Sequence, residues 1–449
     1  MLKKLFLTSL ILMLMPLSMP VQAVLDIEIT GGVVGEHPIA IVPFSWEIKN
    51  ARQKSDVSKV LTSDLKRTGH FALIPEKNFL ERPHHGGEVN FEKWRALGVE
   101  SLVVGRVRPG QQGKYLVQFQ LFDIYKSDGA QATGPGDPEY KIKQLIGYSL
   151  PTTAKDLRRT AHHMSNLIYE ALTGNKGVFT TRIAYITAKG KVKSKQYELQ
   201  VADMDGYNPF TVLKSSEPIM SPSWSPDARK LAYVSFEKKR AQIFVQNVET
   251  GKRRLVSTQK GVNSAPSWSP DGRHLALSLS RDGDLEIYRL DVNSLKLRRL
   301  TRNTAIDTEP VWSPDGKSIV FVSDRSGRPQ IYKVSANGGR AERLTFLGNY
   351  NARPGYTPDG KKITLVHGTS DGYQIATLDL QSGVIDVLTN GRLDESPSVA
   401  PNGQMVLYAT SNKNHGILSI VSIDGKVKQK LVLQKGDVRE PAWAPFQKP

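Results

Sequence analysis

Residues 265–280 read "APSWSPDGRHLALSLS", and closely similar stretches recur through the second half of the chain. The proline that opens each copy returns every 43 or 44 residues. A period of this length is typical of supersecondary units that stack because no single unit can bury its own faces. The related stretches begin at Ser221, Glu309, Arg353, Ser396 and Glu440.

Residues 310–353 show what one unit contains. "PVWS" is a short apolar strand, and "PDGK" is a turn in which proline presets φ and glycine permits a positive φ. "SIVFVS" has the continuous apolar character of a strand covered on both sides, "QIYKVS" alternates, and "AERLT" closes the unit. Four antiparallel strands in about 44 residues predict a β-propeller blade. Repeated proline and glycine exclude helical repeats.

The two ends of the repeat array complement each other. Residues 180–215 resemble the body of a unit without a Pro-x-Trp start, whereas "EPAWAP" at 440–445 is a start without a body. We therefore predict a six-bladed β-propeller of WD40-like repeats over 177–449. Its last blade is closed by both ends of the array, which removes open sheet edges.

Residues 24–176 lack the repeat and alternate between strand and helix patterns, which predicts a small α/β domain. A buried strand is expected at 38–46, and a helix at 55–69 with Ser55 as its cap and Gly69 as its end. The remaining predicted elements are a short helix at 91–97, strands at 100–107, 114–125 and 139–150, and a long helix stopped by Gly174.

The first 23 residues have the pattern of a secretory signal peptide. Lys3 and Lys4 precede the apolar run 5–17, and Val21-Gln22-Ala23 forms a small-residue cleavage site. The alternative is an uncleaved anchor helix, which the short, proline-broken apolar run disfavours. The chain has no cysteine, so stability must come from a large core rather than from disulfides. Together these features predict an exported, periplasmic protein that does not span the membrane.

The formal net charge is +18, and its basic residues are scattered, often at hairpin turns. No aromatic-interleaved basic motif is present, and export argues against nucleic acid as a partner. A solvated basic surface that favours acidic partners or an anionic envelope is the preferred interpretation.

Motifs for catalysis or cofactor binding are weak. "GTSDG" at 368–372 matches the nucleophile elbow of hydrolases, but it falls on a hairpin turn where a strand, not a helix, should follow. No H-x-x-x-H spacing occurs, and cysteine is absent. We therefore predict no catalytic residue, no metal site and no cofactor.

The loops that lead into the first strand of each blade should all lie on one face, around the mouth of the channel; we call them the mouth loops. They are rich in charged and polar side chains, which makes that face the expected binding surface. Individually, such residues can also be solvated loop positions that cap the turn into the strand. The residues predicted to contact a partner are Glu217, Asn263, Asp307, Thr308, Glu309, Arg353, Asp394, Glu395, Arg439 and Glu440.

The predicted signal is followed by "LDIEITGG" and then by "PIAIVPFSW", and six "P-x-W-S-P-D-G" blades follow the α/β domain. In these features the sequence resembles the TolB family of the Tol-Pal system. The resemblance implies a non-enzymatic protein that binds the peptidoglycan-associated lipoprotein (Pal) through the propeller mouth. It also implies a role in outer-membrane integrity and in constriction at division. By position, Thr308, Glu309 and the Asn263–Ala265 segment match the family's lipoprotein contacts, and Arg353, Asp394 and Glu395 follow from the ring.

The family also contacts an inner-membrane Tol protein, TolA, through its extreme N-terminus, which corresponds here to 24–35. The alternating apolar and acidic "LDIEIT" can add as an edge strand to a partner sheet. Equally, it can be the first strand of the small domain. If lipoprotein binding shifts this segment between docked and free, the two sites are allosterically coupled. The N-terminal residues predicted to bind the partner are Val24, Leu25, Asp26, Ile27, Glu28, Ile29 and Thr30.

Two other functions remain open from the sequence. The first is a periplasmic propeller hydrolase or lyase with its site in the channel mouth, which would require histidines in the mouth loops. The second is an envelope scaffold that binds anionic polymer through its positive charge. We expect a monomer that associates with the outer membrane through its partner.

Overall fold

The computed structural model describes residues 27–28, 35–49, 53, 55–126, 139–190, 194–412, 415–431 and 436–447. The predicted signal peptide and five of the seven N-terminal partner-binding positions, Val24, Leu25, Asp26, Ile29 and Thr30, lie outside these residues.

The N-terminal part contains a six-stranded mixed sheet of order β4-β2-β5-β6-β7, with β3 pairing β5 at the end of β2. Its strands β2, β3, β4 and β5 are parallel, and β5, β6 and β7 are antiparallel. The strands are β2 (His37–Ile41), β3 (Ser45–Trp46), β4 (Phe71–Leu73), β5 (Ser101–Pro109), β6 (Tyr115–Asp123) and β7 (Gln144–Thr152).

Four helices accompany this sheet in the described residues: α1 (Val57–Thr68), α2 (Phe91–Ala96), α3 (Glu139–Lys143) and α4 (Leu157–Thr173). Helices α1 and α4 share a core with one face of the sheet, and α2 shares a core with the other. Both α1 and α4 end at a glycine with positive φ, Gly69 and Gly174, as predicted.

Two local expectations were wrong. The cap of α1 is Asp56, whose side chain accepts a hydrogen bond from the Lys59 amide at 3.2 Å, and not Ser55. Asp56 directly precedes the helix, and its carboxylate accepts from an amide of the first turn that has no partner within the helix. In addition, the predicted strand at 139–150 begins with the single turn α3, and strand structure starts only at Gln144.

The C-terminal part is a six-bladed propeller, as the repeat predicted. Each of five blades contains four strands that follow one another in the sequence and pair in that same order. These strands are β11 (Ile219–Trp224), β12 (Lys230–Ser235), β13 (Gln242–Asn247), β14 (Arg253–Ser257), β15 (Asn263–Trp268), β16 (His274–Leu279), β17 (Glu286–Asp291), β18 (Leu297–Arg299), β19 (Asp307–Trp312), β20 (Ser318–Ser323), β21 (Gln330–Ser335), β22 (Glu342–Arg343), β23 (Asn351–Tyr356), β24 (Lys362–Thr369), β25 (Gly372–Asp379), β26 (Ile385–Val387), β27 (Glu395–Val399), β28 (Met405–Asn412), β29 (His415–Ser422) and β30 (Lys428–Leu431).

The sixth blade closes the ring. Strand β31 (Asp437–Trp443), from the end of the array, pairs antiparallel with β8 (Arg182–Lys189), from its beginning. Strands β9 (Gln196–Asp203) and β10 (Phe210–Ser215) complete this closing blade in the order β10-β9-β8-β31. The hydrogen-bonded seam joins the ends of the array, so neither end leaves an unpaired first strand.

Strand β1 (Ile27–Glu28) lies on the propeller and not in the N-terminal sheet. It pairs antiparallel with β30, the outer strand of its blade, placing Ile27 opposite Gln429 and Glu28 opposite Lys428. Ile27 and Glu28 therefore do not form the first strand of the small domain, which was the alternative prediction for "LDIEIT". They extend a blade edge by strand addition.

The two parts share a hydrophobic core. Tyr169 of α4 packs edge-on against Phe179, with ring centroids 5.9 Å apart, and both belong to a cluster that continues into Tyr185 and Trp443 of the closing blade. Among the described helices, none is both long and apolar enough to cross a membrane.

Candidate functional site

A six-fold backbone irregularity defines the channel wall. In the first strand of every blade the pairing register shifts by one bulge, and the residue before the proline has a φ between 48° and 55°. Left-handed backbone at a non-glycine residue is strained, by about 1–3 kcal/mol, and a bulge re-aims its side chain. The six bulge residues are Ser221, Ala265, Glu309, Arg353, Ser396 and Glu440.

All six bulge residues line one channel cavity of about 450 Å³, together with the prolines and tryptophans of the first strands. The sequence had indicated four of them, Ala265, Glu309, Arg353 and Glu440, as mouth residues. It had missed Ser221 and Ser396, whose position before the repeat proline is the signal that identifies them.

An ion triad bridges this wall. Arg353 Nε lies 2.9 Å from Glu309 Oε1, and the Arg353 amide donates to Glu309 Oε2 at 2.7 Å. Arg353 Nη2 lies 3.8 Å from Glu440 Oε1, and Glu440 in turn accepts from the Ser221 amide. Burial alone would lower the pKa of Arg353, but Glu309, Glu440 and Glu395 outweigh it and raise that pKa. With three carboxylates around one guanidinium, the mouth is locally acidic within a basic chain.

Three predicted mouth residues have buried side chains that hold the loops. Asn263 accepts from the Ser257 hydroxyl at 2.7 Å and donates to the carbonyls of its own loop. Asp307 is gripped by the Arg325 guanidinium at 2.9 and 2.7 Å. Asp394 accepts from the Gly391 amide at 3.1 Å. These side chains are bonded within the propeller and shape the mouth loops.

The other four predicted residues lie at the surface or partly so. Thr308 and Glu395 are half-buried at the start of their strands. Arg439 is exposed and pairs with Asp437 at 2.8–2.9 Å, and Glu217 pairs with Lys239. These positions remain available at the rim of the channel.

Sequence reasoning missed an apolar component of the same face. Four of the mouth loops expose one or two large apolar side chains within five residues of the first strand, and Phe346 is 71% exposed. Exposed apolar residues grouped around a polar centre mark protein interaction sites. We call this set the apolar crown: Val262, Ile306, Phe346, Leu347 and Leu393.

Ser370 of the "GTSDG" motif lies at the tip of the hairpin between β24 and β25, where Thr369 pairs with Gly372. A strand follows it, so the strand–turn–helix geometry of a nucleophile elbow is absent at this position.

One cluster of potential metal ligands exists among the described residues. Ligand atoms of Asp64, His162 and Asp205 lie within 4.8 Å of one another, and none of the three residues lines the channel cavity. However, Arg67 pairs with Asp64 and Arg158 pairs with Asp205, so both carboxylates already have a positive partner. A divalent cation would face two guanidinium groups, and the arrangement favours a charge network over metal coordination.

Comparisons with known proteins cover both parts of the chain. The families described as "TolB beta propeller domain" and "TolB amino-terminal domain" match residues 169–447 and 25–130. Tol-Pal system protein TolB of Nitrosococcus oceani is 59% identical over 426 residues, covering 95% of this chain and 94% of its own length. The protein of the same name from Thioalkalivibrio sulfidiphilus is 56% identical and covers 98% of both chains. A crystal structure of TolB from Acinetobacter baumannii, 40% identical, covers 95% of this chain and 100% of its own, with a TM-score of 0.84.

Proposed function

This chain belongs to the TolB family, and from that membership we propose that it is a non-enzymatic, periplasmic interaction component of the Tol-Pal system. In this proposal the propeller mouth binds the peptidoglycan-associated lipoprotein, and the N-terminal segment binds TolA. The complex supports outer-membrane integrity and constriction during division. The periplasmic location rests on the signal peptide predicted before Val24, and the proposed boundary between the two domains lies at 176/177.

The observation that carries this proposal is the composition of the mouth. The Glu309–Arg353–Glu440 triad lies in the channel wall, and the apolar crown belongs to four of the loops that lead into this wall. Apolar side chains grouped with a partly buried charged centre, which a bound partner would remove from water, are the arrangement in which a few residues dominate a protein interface. The excess of carboxylates suits a partner that inserts hydrogen-bond donors or a basic side chain.

Strand β1 supports the second contact. Ile27 and Glu28 use their backbone hydrogen bonds on β30. A partner sheet that captured this segment would need those same backbone groups. Docking on β30 and binding of TolA would therefore compete, which would allow lipoprotein binding at the propeller to control the N-terminus.

The alternative functions lack support at the mouth. Among the described residues that line the channel no histidine occurs, so a hydrolase or lyase would lack its usual proton carrier there. The channel is acidic at its mouth, which disfavours an anionic polymer as its ligand.

Calorimetric titration of the mature chain and of one truncated variant tests both contacts. We expect the mature chain to bind the soluble domain of the lipoprotein and, separately, the periplasmic domain of TolA. A variant lacking residues 24–35 should retain lipoprotein binding and lose TolA binding, because only the second contact uses the N-terminal backbone.

No lipoprotein binding by a folded mature chain would overturn the assignment of the mouth. Retained TolA binding by the truncated variant would overturn the assignment of the N-terminal segment, while leaving the mouth assignment intact.

A further inference from the structure

A buried charge network lies where the N-terminal helices meet the propeller. His162 of α4 is placed between two carboxylates: its Nδ1 is 2.7 Å from Asp64 Oδ2, and its Nε2 is 3.6 Å from Asp205 Oδ2. Asp64 belongs to α1, whereas Asp205 belongs to the turn after β9 of the closing blade. All three side chains are at most 3% exposed. His162 therefore connects the two parts of the protein, because Nδ1 faces Asp64 of α1 and Nε2 faces Asp205 of the closing blade.

The hydrogen bonds around Asp64 fix how the imidazole is oriented. Asp64 Oδ2 also accepts from the Ser165 hydroxyl at 2.7 Å, and Asp64 Oδ1 accepts from Arg67 Nη1 at 3.1 Å. A carboxylate can only accept, so His162 Nδ1 must carry the hydrogen. A neutral His162 would then turn the lone pair of Nε2 toward the Asp205 carboxylate. A protonated His162 turns an N–H toward it instead, which is the favourable arrangement.

The charges around His162 balance when it carries a proton. The facing groups are Asp64 and Arg67 from α1, Arg158 from α4, Asp203 from β9, and Asp205. The cavity beside them adds three cationic and two anionic side chains, which are Lys155, Arg159, Arg182, Asp156 and Glu249. Among the groups that directly face His162, two arginines oppose three carboxylates while Asp203 is ionised, and the imidazolium supplies the third positive charge.

The pKa directions agree with this balance. Burial would lower the pKa of His162, but the charge and hydrogen bond of Asp64, followed by the charge of Asp205, raise it overall. Burial and the neighbouring Asp205 raise the pKa of Asp203 to about 6. Both groups therefore favour their protonated forms at this interface.

The network continues to the strand that carries β1. Arg67, held by Asp64, donates from Nε to Gln429 Oε1 at 3.0 Å. Gln429 lies in β30, directly opposite Ile27 of β1. A change at His162 therefore has a three-residue route, through Asp64, Arg67 and Gln429, to the place where the N-terminal strand pairs.

We propose that His162 is a proton-operated latch: when protonated it bridges Asp64 and Asp205 and holds the N-terminal helices, the propeller and β1 together, and loss of the proton loosens them. The latch itself needs no partner. Its consequence, that deprotonation makes the N-terminal segment more available, rests on the proposed function.

The sign of the pH dependence follows from the raised pKa of His162. Stabilisation is fully present below the unfolded value of about 6.5 and is lost as the pH rises through the higher folded value. The raised pKa of Asp203 acts in the same direction, because the cost of charging this buried carboxyl is absent below its unfolded value of about 3.8 and complete above about pH 6. The interface should be tightest in mild acid and weakest at alkaline pH.

Amide hydrogen exchange at pH 5.5 and pH 8.5, corrected for intrinsic rates, tests the latch on the mature chain alone. We expect protection of the 64–69 and 428–431 segments to fall at the higher pH, by about tenfold for each unit by which folding raises the pKa of His162. His163→Gln is the matched control, because the adjacent His163 is exposed and should leave the pH dependence unchanged. His162→Gln should remove most of the pH dependence of protection in both segments and leave only the part that Asp203 contributes.

Equal protection of the wild type at both pH values would overturn the latch, as would a full pH response in folded His162→Gln. If His162→Gln does not fold, Asp205→Asn removes the other half of the bridge and should flatten the same response. None of these measurements involves the lipoprotein or TolA, so the latch and the proposed function fail separately.

Discussion

Replacing Glu309 with lysine should weaken lipoprotein binding by at least about 30-fold, because a hydrogen-bond donor or basic side chain of the partner that pairs with the acidic mouth would then meet a cation, and losing a buried charge pair across an interface costs about 2–5 kcal/mol. Glu309 holds Arg353 both through the guanidinium and through the backbone amide. The Glu309→Lys change would remove both bonds and place a second cation beside Arg353. Titration calorimetry with the soluble lipoprotein domain measures the loss.

The matched control for this charge reversal is Glu342→Lys. Glu342 lies exposed in β22, the outer strand of the same blade, and its reversal changes the net charge equally without touching the channel. Glu342→Lys should bind within about twofold of the wild type. Equal weakening by both variants would indicate a general effect of charge and would contradict a specific role for the mouth.

The second large effect concerns stability. Trp443 in β31 is buried in the core shared by the propeller and the N-terminal helices, and its Nε1 donates to Thr181 Oγ1 at 2.9 Å. Trp443→Ala should lower the free energy of unfolding by about 3–5 kcal/mol, since it empties a large core site on the strand that closes the ring. Urea denaturation followed by circular dichroism gives the change in midpoint.

Trp268→Ala is the comparison for the closing strand. Trp268 occupies the same place in the first strand β15, is similarly buried, and its Nε1 has no hydrogen-bond partner among the described residues. We expect Trp443→Ala to be the more destabilising by about 1 kcal/mol, the contribution of one buried hydrogen bond. A smaller loss at Trp443 than at Trp268 would mean that closure by β31 does not stabilise the ring.

The propeller could be predicted because its signals are local and repeated. Proline recurs at the turn after each first strand, and in five copies a residue with positive φ follows it, glycine in four of them and Ala228 in the other. The interval between the prolines fixes the size of the blade. The shared closing blade could be predicted because the last repeat contains only a first strand, whereas residues 180–215 contain only the later strands of a repeat. The structure confirms this closure through the β31–β8 pairing.

The candidate site was less predictable because polarity alone does not say where a side chain points. Asn263, Asp307 and Asp394 look like surface residues in the sequence, but each turns inward to satisfy its own loop. The apolar crown was overlooked because single apolar residues in polar loops are unremarkable until the fold gathers them on one face.

The buried network could not be predicted at all. Asp64 and His162 are 98 positions apart, and the adjacency of His162 and His163 on one helix gave no metal or catalytic spacing. Only the packing of α1 and α4 against the closing blade brings these groups together.

The most direct test of the mouth as the functional site is an amide hydrogen-exchange footprint of the mature chain with and without the soluble lipoprotein domain. We predict protection in the mouth loops at 303–309, 346–353 and 391–396, with little change in the outer strands such as β18 and β22. Protection confined to the outer strands or to the N-terminal sheet, with the mouth loops unaffected, would contradict the account.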